Sequence, residues 1–273
     1  MTYSVVAMDP EEELVGVAVA SRFIAVGAVV PWVRHGAGAI ATQSYANYSF
    51  GPEGLDLLSD HSAKETLKIL LDKDPQREKR QVGIIDRMGK VASFTGKECF
   101  NYADSIEGKN FTVQGNILTG RNVLESMASE METDQPFIER MIRALKAGES
   151  AGGDSRGKQA AAILIAGKKL EFVESSRIVM DIRVDDHPEP VRELERISKV
   201  WRAVHWDSDK VKIADKSKEI DFALRRLGFT SLKDWAAARG LDHNISDTEI
   251  GSITLDSLLS ESKSDTYARF SRK

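Results

Sequence analysis

The sequence predicts an α+β fold in which antiparallel sheets are covered by helices on their outer faces. Short apolar runs rich in valine and bounded by turn residues are typical of buried strands. Hairpin-sized connections outnumber strand–helix–strand crossovers, which favours antiparallel pairing. Helices come in pairs between groups of strands, and this order is typical of sheets with helices packed outside them.

The chain opens with two apolar runs, Tyr3 to Met8 and Leu14 to Ala20, separated by five polar residues that include Pro10. This pattern predicts a β-hairpin in the middle of the core. Residues 28 to 34 and 38 to 43 predict two further strands, joined across a short loop that contains His-Gly.

Helix signals follow these strands. Pro52 suits the first position of one helix, and Ser62 with Glu65 forms the capping box of the next, which must end before Pro75. Periodicity predicts the later elements. The strands are a hairpin at 81–86 and 90–95, a strand-like run at 111–118, and strands at 160–166 and 178–184. One helix is predicted from Asn122, with Glu125 completing a variant capping box, a second from Pro136 to a stop at Gly148, and a third from Pro190.

Composition changes near residue 207, so we expect one domain at 1–206 and a small helical module at 207–273 with a frayed tail. Short helices are predicted to end at Gly228 and Gly240, and another covers 254–260. A two-helix unit with basic residues could read DNA, but its charge is too mixed to favour this. We expect an appendage that covers a surface or mediates dimerisation, and a homodimer or higher homo-oligomer.

The overall composition is that of an ordinary globular protein. Of 273 residues, 41% are hydrophobic and 29% charged, and the net charge of −4 gives no reason to expect nucleic acid or an anionic membrane as partner. Cys99 is the only cysteine, which favours a reducing compartment. No apolar run approaches the roughly 18 residues of a membrane helix. We therefore expect a cytoplasmic protein with no membrane partner.

Thr2 is the residue that is best suited to catalysis by its chemistry and its position. If Met1 is removed, a hydroxyl and a free α-amine share one residue, and such an amine titrates near pH 8, at roughly 7.7–8.0. The residue could then serve as both nucleophile and base in the hydrolysis of an amide through an acyl-enzyme. The plainer interpretation is a β-branched residue that only begins the first strand.

Several segments resemble an uncharacterised family of predicted N-terminal-nucleophile (Ntn) hydrolases, known as domain of unknown function 1028. These segments keep the order found in that family and span roughly residues 2 to 203. They are Gly16-Val-Ala-Val-Ala-Ser-Arg22, Val26-Gly-Ala-Val-Val-Pro-Trp32, Gly38-Ala-Ile-Ala-Thr-Gln43, Gly51-Pro-Glu-Gly-Leu55, Val113-Gln-Gly-Asn116, Gly152-Gly-Asp-Ser-Arg-Gly-Lys-Gln159 and Arg183-Val-Asp-Asp-His187.

The resemblance implies a four-layer αββα sandwich and an amide substrate, either a small molecule or a peptide. The segment from Gly16 to Arg22 is more distantly similar to the second strand of proteasome-type β subunits, where a carboxylate closes the strand. Ala20 and Ser21 stand there in this chain. The C-terminal module resembles the peptidoglycan-binding appendage of some family members, mainly at Ala223 to Phe229.

Asn116 and Asp154 are the candidate partners of Thr2. The family resemblance favours Asn116 as the donor of a hydrogen bond to the oxyanion, and the alternative is that its side chain only stabilises a turn. Asp154 could orient an amine or an arginine, or hold a glycine-rich loop through an internal ion pair with Arg156. The residues expected to bind substrate are Arg22, Arg34, Gln43, Arg156 and Gln159.

A metal site is the weaker hypothesis for Asp185, Asp186 and His187. Carboxylates with one imidazole could hold a divalent ion, but a strand end followed by a helix cap explains the same residues. We expect neither a metal nor a cofactor. An alternative to the amidohydrolase is a binding or scaffold protein that recognises a small acidic ligand without turnover, and a third possibility is a hydrolase that uses an ion at Asp185 and Asp186.

Overall fold

A computed structural model describes residues 2–168, 177–207 and 209–263. The chain divides into two compact units, Met1–Glu195 and Arg196–Lys273, and the division falls within a single helix. The boundary expected between residues 206 and 207 stays a prediction. Removal of Met1 and fraying of the tail beyond residue 263 concern residues outside the described ranges.

The strands described in the first unit form two antiparallel sheets. They are β1 (Thr2–Asp9), β2 (Leu14–Ser21), β3 (Pro31–Arg34), β4 (Gly38–Ser44), β5 (Arg80–Asp86), β6 (Val91–Thr95), β7 (Asp104–Gly108), β8 (Phe111–Asn116), β9 (Ala160–Gly167) and β10 (Ile178–Val184). The six-stranded sheet has the order β10-β9-β2-β1-β8-β7, and the four-stranded sheet the order β3-β4-β5-β6. The opening hairpin is confirmed, with Tyr3 opposite Ala20, and its strands are central in the larger sheet.

Five α-helices begin among the described residues of this unit, and with the two sheets they confirm the mixed α+β class. They are α1 (Phe50–Leu57), α2 (Ala63–Asp72), α3 (Asn122–Met131), α4 (Phe137–Ser150) and α5 (Pro190–His205). The predicted capping box at α2 is present, since Ser62 accepts from the Glu65 amide and the Glu65 carboxylate accepts from the Ser62 amide. Within the described ranges, no helix is both long enough and apolar enough to cross a membrane.

Side-chain alternation along β4 shows how the two sheets are packed. Ala39 and Ala41 belong to a buried cluster with Val17 of β2, in the opposite sheet. Ile40, between them, packs instead with Leu55 of α1 and with α2. Since successive strand residues face opposite ways, one face of the smaller sheet meets the larger sheet and the other meets α1 and α2.

Helices α3 and α4 pack against the strands of the six-stranded sheet. Gly148 lies within α4, where an added Cβ would lie 2.9 Å from Met127 Cγ and 3.4 Å from Tyr3 Cδ2. The prediction that Gly148 ends this helix is therefore wrong: α4 continues to Ser150. Here glycine provides close contact between α3, α4 and β1, which the sequence does not distinguish from a helix stop.

Two other expectations also need correction, and one strand is missing from the predictions. Helix α1 begins at Phe50, before Pro52, and the cap of α3 is Arg121 without a side-chain bond, so Asn122 does not form a capping box. The Asn122 amide donates to Ala151 O instead, at 2.8 Å. Strand β7 (Asp104–Gly108) is absent from the predictions because its residues are mostly polar and only partly buried.

The second unit is not wholly helical. It contains α6 (Ser217–Leu227), α7 (Leu232–Ala237) and α8 (Ser252–Lys263), together with two short strands, β11 (Lys210–Lys212) and β12 (Glu249–Gly251), which the sequence pattern does not predict. Trp235 is fully buried in its core, and its Nε1 donates to Glu261 at 3.1 Å. Asp207 caps α8 by accepting from the amides of Ile253 and Thr254 at 2.9 and 2.7 Å.

Candidate functional site

Thr2 lies at one end of the six-stranded sheet, as the first residue of β1. Its side chain is almost fully buried, with the residue 6% exposed, and its Oγ1 lies 3.1 Å from the Oγ of Ser21, the last residue of β2. On its other side the register pairs Thr2 with Asn116, the last residue of β8. The ends of three strands therefore place Ser21 and Asn116 on either side of Thr2.

A network of buried amide side chains joins the two sheets beneath Thr2. Its members, Gln43, Gln81, Gln114 and Asn116, are each at most 1% exposed. Gln43 Nε2 donates to Gln81 Oε1 at 2.9 Å and lies 3.4 Å from the Thr2 carbonyl oxygen. Asn116 Nδ2 donates to the same Gln81 oxygen, also at 2.9 Å.

The network continues along β1 through Ser4. Its hydroxyl donates to Gln43 Oε1 at 2.7 Å and accepts from Gln114 Nε2 at 2.6 Å. Gly83 makes room for this arrangement, because an added Cβ would lie 2.2 Å from Gln114 Oε1. Buried amides must find partners inside the protein, so these bonds fix the relative position of the two sheets at the Thr2 end.

Asp154 organises the glycine-rich loop that follows α4. Its carboxylate accepts from the Arg22 amide at 2.7 Å and from the Arg156 amide at 2.9 Å, and its side chain also pairs with the Arg156 guanidinium at 3.5 Å. Gly152 and Gly153 adopt φ values of +116° and +50°, which favour glycine. An isolated bridge from Asp154 to Leu118 joins this loop to the end of β8. The loop thus lies beside Ser21 and Asn116.

A small open pocket lies at this loop. Its lining includes Tyr3, Ser21, Glu149, Asp154 and Lys158. Burial raises the pKa of the Tyr3 phenol well above its usual value, and the nearby carboxylates of Glu149 and Asp154 add to this effect, so the phenol stays protonated. Hydrogen bonds to Glu189 and Glu149 raise the pKa of Lys158 and keep it cationic. The pocket therefore offers a neutral donor, a cation and carboxylates.

Arg22 and Gln159 lie close to this loop. Arg22 Nη1 donates to Lys158 O at 2.9 Å, while Gln159 Nε2 donates to Asp186 Oδ1 at 3.3 Å. Arg34 lies far from the loop. It pairs in register with Gly38, which begins β4, whereas Gln43 lies near the other end of that strand. Its side chain forms an exposed ion pair with Asp56 at 2.7 Å. The fold thus brings the predicted site residues to one end of the sheets, with the exception of Arg34.

The proposed metal ligands make structural contacts. Asp185 O accepts from the Ala25 amide at 3.0 Å, and His187 Nδ1 accepts from the Glu189 amide at 3.0 Å. Among the residues that the structure describes, no group of three or more His, Cys, Asp or Glu side chains is placed to hold a metal ion.

Sequence reasoning missed several residues of this site, namely Tyr3, Ser4, Ser21, Gln81 and Gln114. A signal for four of them is present in part, because Ser4, Ser21, Gln81 and Gln114 are polar residues in or at the end of otherwise apolar strands, whereas Tyr3 belongs to an apolar run. The sequence does not indicate which faces of the two sheets pack against each other, and this packing brings Gln81 of β5 into contact with Asn116 of β8. Ser21 needed only the hairpin register, since a partner for Tyr3 at Ala20 places Ser21 beside Thr2.

Comparisons with known proteins agree with this fold. A crystal structure of protein SPO2555 from Silicibacter pomeroyi, which carries the DUF1028 family model, is 28% identical in sequence with a TM-score of 0.67, over 74% of this chain and 89% of that one. No functionally curated protein matches the sequence significantly. The model of the family of unknown function DUF1028 matches residues 2–194. The chain therefore belongs to the DUF1028 family.

Proposed function

We propose that this protein is an amide hydrolase whose nucleophile is Thr2, exposed as the amino terminus after Met1 has been removed. The observation that carries the proposal is the position of Thr2, whose hydroxyl lies 3.1 Å from that of Ser21 at a strand end. Asn116 is paired with Thr2 on the adjacent strand β8, and Gln43 of the amide network between the two sheets donates to the carbonyl oxygen of Thr2. Such a rigid surrounding is what a nucleophile needs to be held in an attacking geometry.

In the proposed reaction Thr2 supplies both the nucleophile and the general base. Thr2 Oγ1 attacks the amide carbonyl carbon while the α-amine of Thr2 takes the hydroxyl proton. Breakdown of the tetrahedral intermediate breaks the C–N bond, and the departing amine takes that proton. Water then hydrolyses the ester by the same route. In this proposal Asn116 keeps its predicted oxyanion role, because its amide nitrogen carries two hydrogens and Gln81 uses one.

We propose further that the first unit is the four-layer αββα sandwich of Ntn hydrolases. Two facing antiparallel sheets support this, together with α1 and α2 against one sheet and α3 and α4 against the other. The position of the candidate nucleophile at the start of a central strand agrees with it as well.

The test combines mass and turnover. The intact mass of the purified protein decides whether Met1 is absent, and a panel of N-acyl amino acids and aminoacyl p-nitroanilides screens for amide cleavage. We expect Thr2→Ser to retain activity and Thr2→Ala to lose at least roughly 10³-fold in kcat, since a nucleophile is lost. Thr66→Ala, at another buried threonine, serves as the control and leaves turnover intact. A fully active Thr2→Ala enzyme contradicts the proposal.

A non-catalytic binding protein is the second candidate, and one observation favours it. The open pocket is lined by Tyr3, Ser21 and the Asp154 loop, whereas Thr2 does not line it and is 6% exposed. A small ligand could occupy this pocket without touching the hydroxyl of Thr2. Retention of Met1 in the purified protein would favour this function. Assembly into homo-oligomers stays a prediction for either function.

A further inference from the structure

The orientation of the Gln81 amide is fixed by its surroundings. Its Nε2 lies 2.8 Å from Gly115 O and 3.2 Å from Asp104 O, and carbonyl oxygens can only accept hydrogen bonds. Gln81 Oε1 must therefore point the other way, where the amides of Gln43 and Asn116 both lie at 2.9 Å. Because that oxygen is an acceptor, Asn116 has to present its nitrogen to Gln81.

The other polar atom of this side chain, Asn116 Oδ1, is not used by the amide network. Asn116 Oδ1 is buried and has no hydrogen-bond partner among the residues that the structure describes. An unsatisfied buried acceptor is costly and uncommon in folded proteins, and it points to a donor that binds there. The next residue, Ile117, has a φ of +51°, a strained conformation for a β-branched side chain that marks this strand end as unusual.

The nitrogen of Thr2 faces the same residue. The Met8 amide donates to Asn110 O at 3.0 Å, which shows that even-numbered residues of β1 direct their main-chain N and O towards β8. Thr2 belongs to this set and pairs with Asn116. Residues paired in this way have Cα atoms about 5.5 Å apart, so the Asn116 side chain is within reach of the Thr2 nitrogen.

We propose that Asn116 is the positioning residue of the terminal amine: its Oδ1 accepts a hydrogen bond from the α-amino group of Thr2. This inference rests on the proposed function only in requiring that Met1 is removed. A neutral amine has two hydrogens, and here one goes to Asn116 O and the other to Asn116 Oδ1. The lone pair is then left for the proton that Thr2 Oγ1 gives up.

The test measures the amine itself and needs no substrate. Competitive labelling with acetic anhydride across pH, followed by mass spectrometry of the amino-terminal peptide, gives the pKa of the α-amine. An acceptor favours the ammonium form, so we expect Asn116→Ala to lower this pKa by about one unit and Asn116→Asp, which adds a negative charge, to raise it. The lowered pKa of a folded Asn116→Ala protein is the discriminating result, because a carboxylate at this position raises the pKa by its charge alone.

Thr95→Val is the matched control, because Thr95 Oγ1 accepts from Gln81 Nε2 at 2.9 Å without being a partner of Asn116. It should leave the pKa of the amine unchanged. Thermal melting identifies any variant that does not fold. An unchanged pKa in a folded Asn116→Ala protein that lacks Met1 overturns the inference, and so does retention of Met1 in the wild-type protein.

The same titration in a Thr2→Ala background separates the inference from the proposed function, since that variant also carries a terminal α-amine once Met1 is gone. If Asn116→Ala shifts that pKa while Thr2→Ala keeps full amide turnover, positioning by Asn116 stands and catalysis by Thr2 fails. If Thr2→Ala is inactive and the pKa does not move, the nucleophile stands and the role of Asn116 fails.

Discussion

The hydroxyl oxygens of Thr2 and Ser21 lie 3.1 Å apart, where the first two strands of the chain begin and end. Either hydroxyl can donate to the other. If Ser21 donates, the hydroxyl proton of Thr2 remains available for transfer. If Ser21 accepts, the hydroxyl proton of Thr2 points towards Ser21 Oγ and has a defined direction. In both cases Ser21 orients the proposed nucleophile, and it does so from a position that lines the open pocket.

Replacement of Ser21 by alanine should therefore reduce turnover more than stability. We expect Ser21→Ala to lower kcat by roughly 10- to 100-fold, as for loss of a positioning contact, and the free energy of unfolding by no more than about 1 kcal/mol. Steady-state kinetics on the substrate found in the amide screen and urea unfolding measure the two effects. Ser105→Ala is the control, because it breaks a similar hydroxyl pair, with Ser93 at 2.9 Å, away from Thr2. Equal activity of Ser21→Ala and Ser105→Ala would contradict this role.

Gln81 should be the most costly amide to remove. Its side chain bridges both sheets, and Gln81→Met keeps its approximate volume while removing the buried hydrogen bonds to Gly115 O, Gln43 and Asn116. We expect a loss of about 2–4 kcal/mol in the free energy of unfolding. Chemical denaturation measures it, with Gln76→Met at an exposed glutamine as the comparison. A cost as small as that at Gln76 would mean that the network does not stabilise the fold.

Local patterns in the sequence were sufficient where the interactions are local. The opening hairpin and the capping box of Ser62 with Glu65 depend on neighbours a few residues apart, and both are present. Gly148 shows the limit of this reasoning, because a glycine late in a helix is typical of a stop. Its actual role, contact with Met127 and Tyr3, depends on how two helices and a strand pack.

The candidate site was predictable to a similar extent. The sequence predicts Thr2, Asn116 and Gln43 as site residues, and the fold brings these three together. The same pattern, a charged residue at the close of a strand, predicts both Arg22 and Arg34, yet Arg34 pairs with Gly38, at the end of β4 far from Gln43. The direction of a strand within a sheet decides this difference, and strand direction follows from the pairing of distant segments.

Gly51 provides a test of close packing at the smaller sheet. Gly→Ala in an exposed helix interior is normally stabilising by about 1 kcal/mol. An added Cβ at Gly51 would lie 2.1 Å from Trp32 Cδ2, and the indole is held by a hydrogen bond from its Nε1 to Val29 O at 3.1 Å. We therefore expect Gly51→Ala to destabilise the protein by about 1–3 kcal/mol. Thermal melting measures this, with Glu53→Ala in the same helix as the control; a raised Tm for Gly51→Ala would refute the close contact.

The ion pair of Asp74 with Arg80 should give the fold a defined acid dependence. Both side chains are largely buried, Arg80 Nε donates to Asp74 Oδ2 at 2.7 Å, and the Arg80 guanidinium also reaches Tyr45 O at 2.6 Å, at the Thr2 end of β4. The hydrogen bond from Arg80 lowers the pKa of Asp74, with help from the Gln76 amide. The folded state thus binds the Asp74 proton less tightly than the unfolded state, where the pKa is about 3.9.

A carboxylate with a depressed pKa stabilises the fold above its unfolded pKa, and this stabilisation is lost as the pH falls through the folded value. We expect Asp74→Asn to cost about 2–4 kcal/mol at pH 7, because Arg80 is left without its charge partner. The difference from wild type should stay constant down to about pH 5 and shrink below about pH 4, as wild-type Asp74 takes up its proton. Urea unfolding at a series of pH values measures this, and Asp72→Asn, at an exposed ion pair with Lys68, controls for the change in net charge. A difference between wild type and Asp74→Asn that is independent of pH down to about pH 2 would show that the carboxylate charge does not stabilise this end of the sheets.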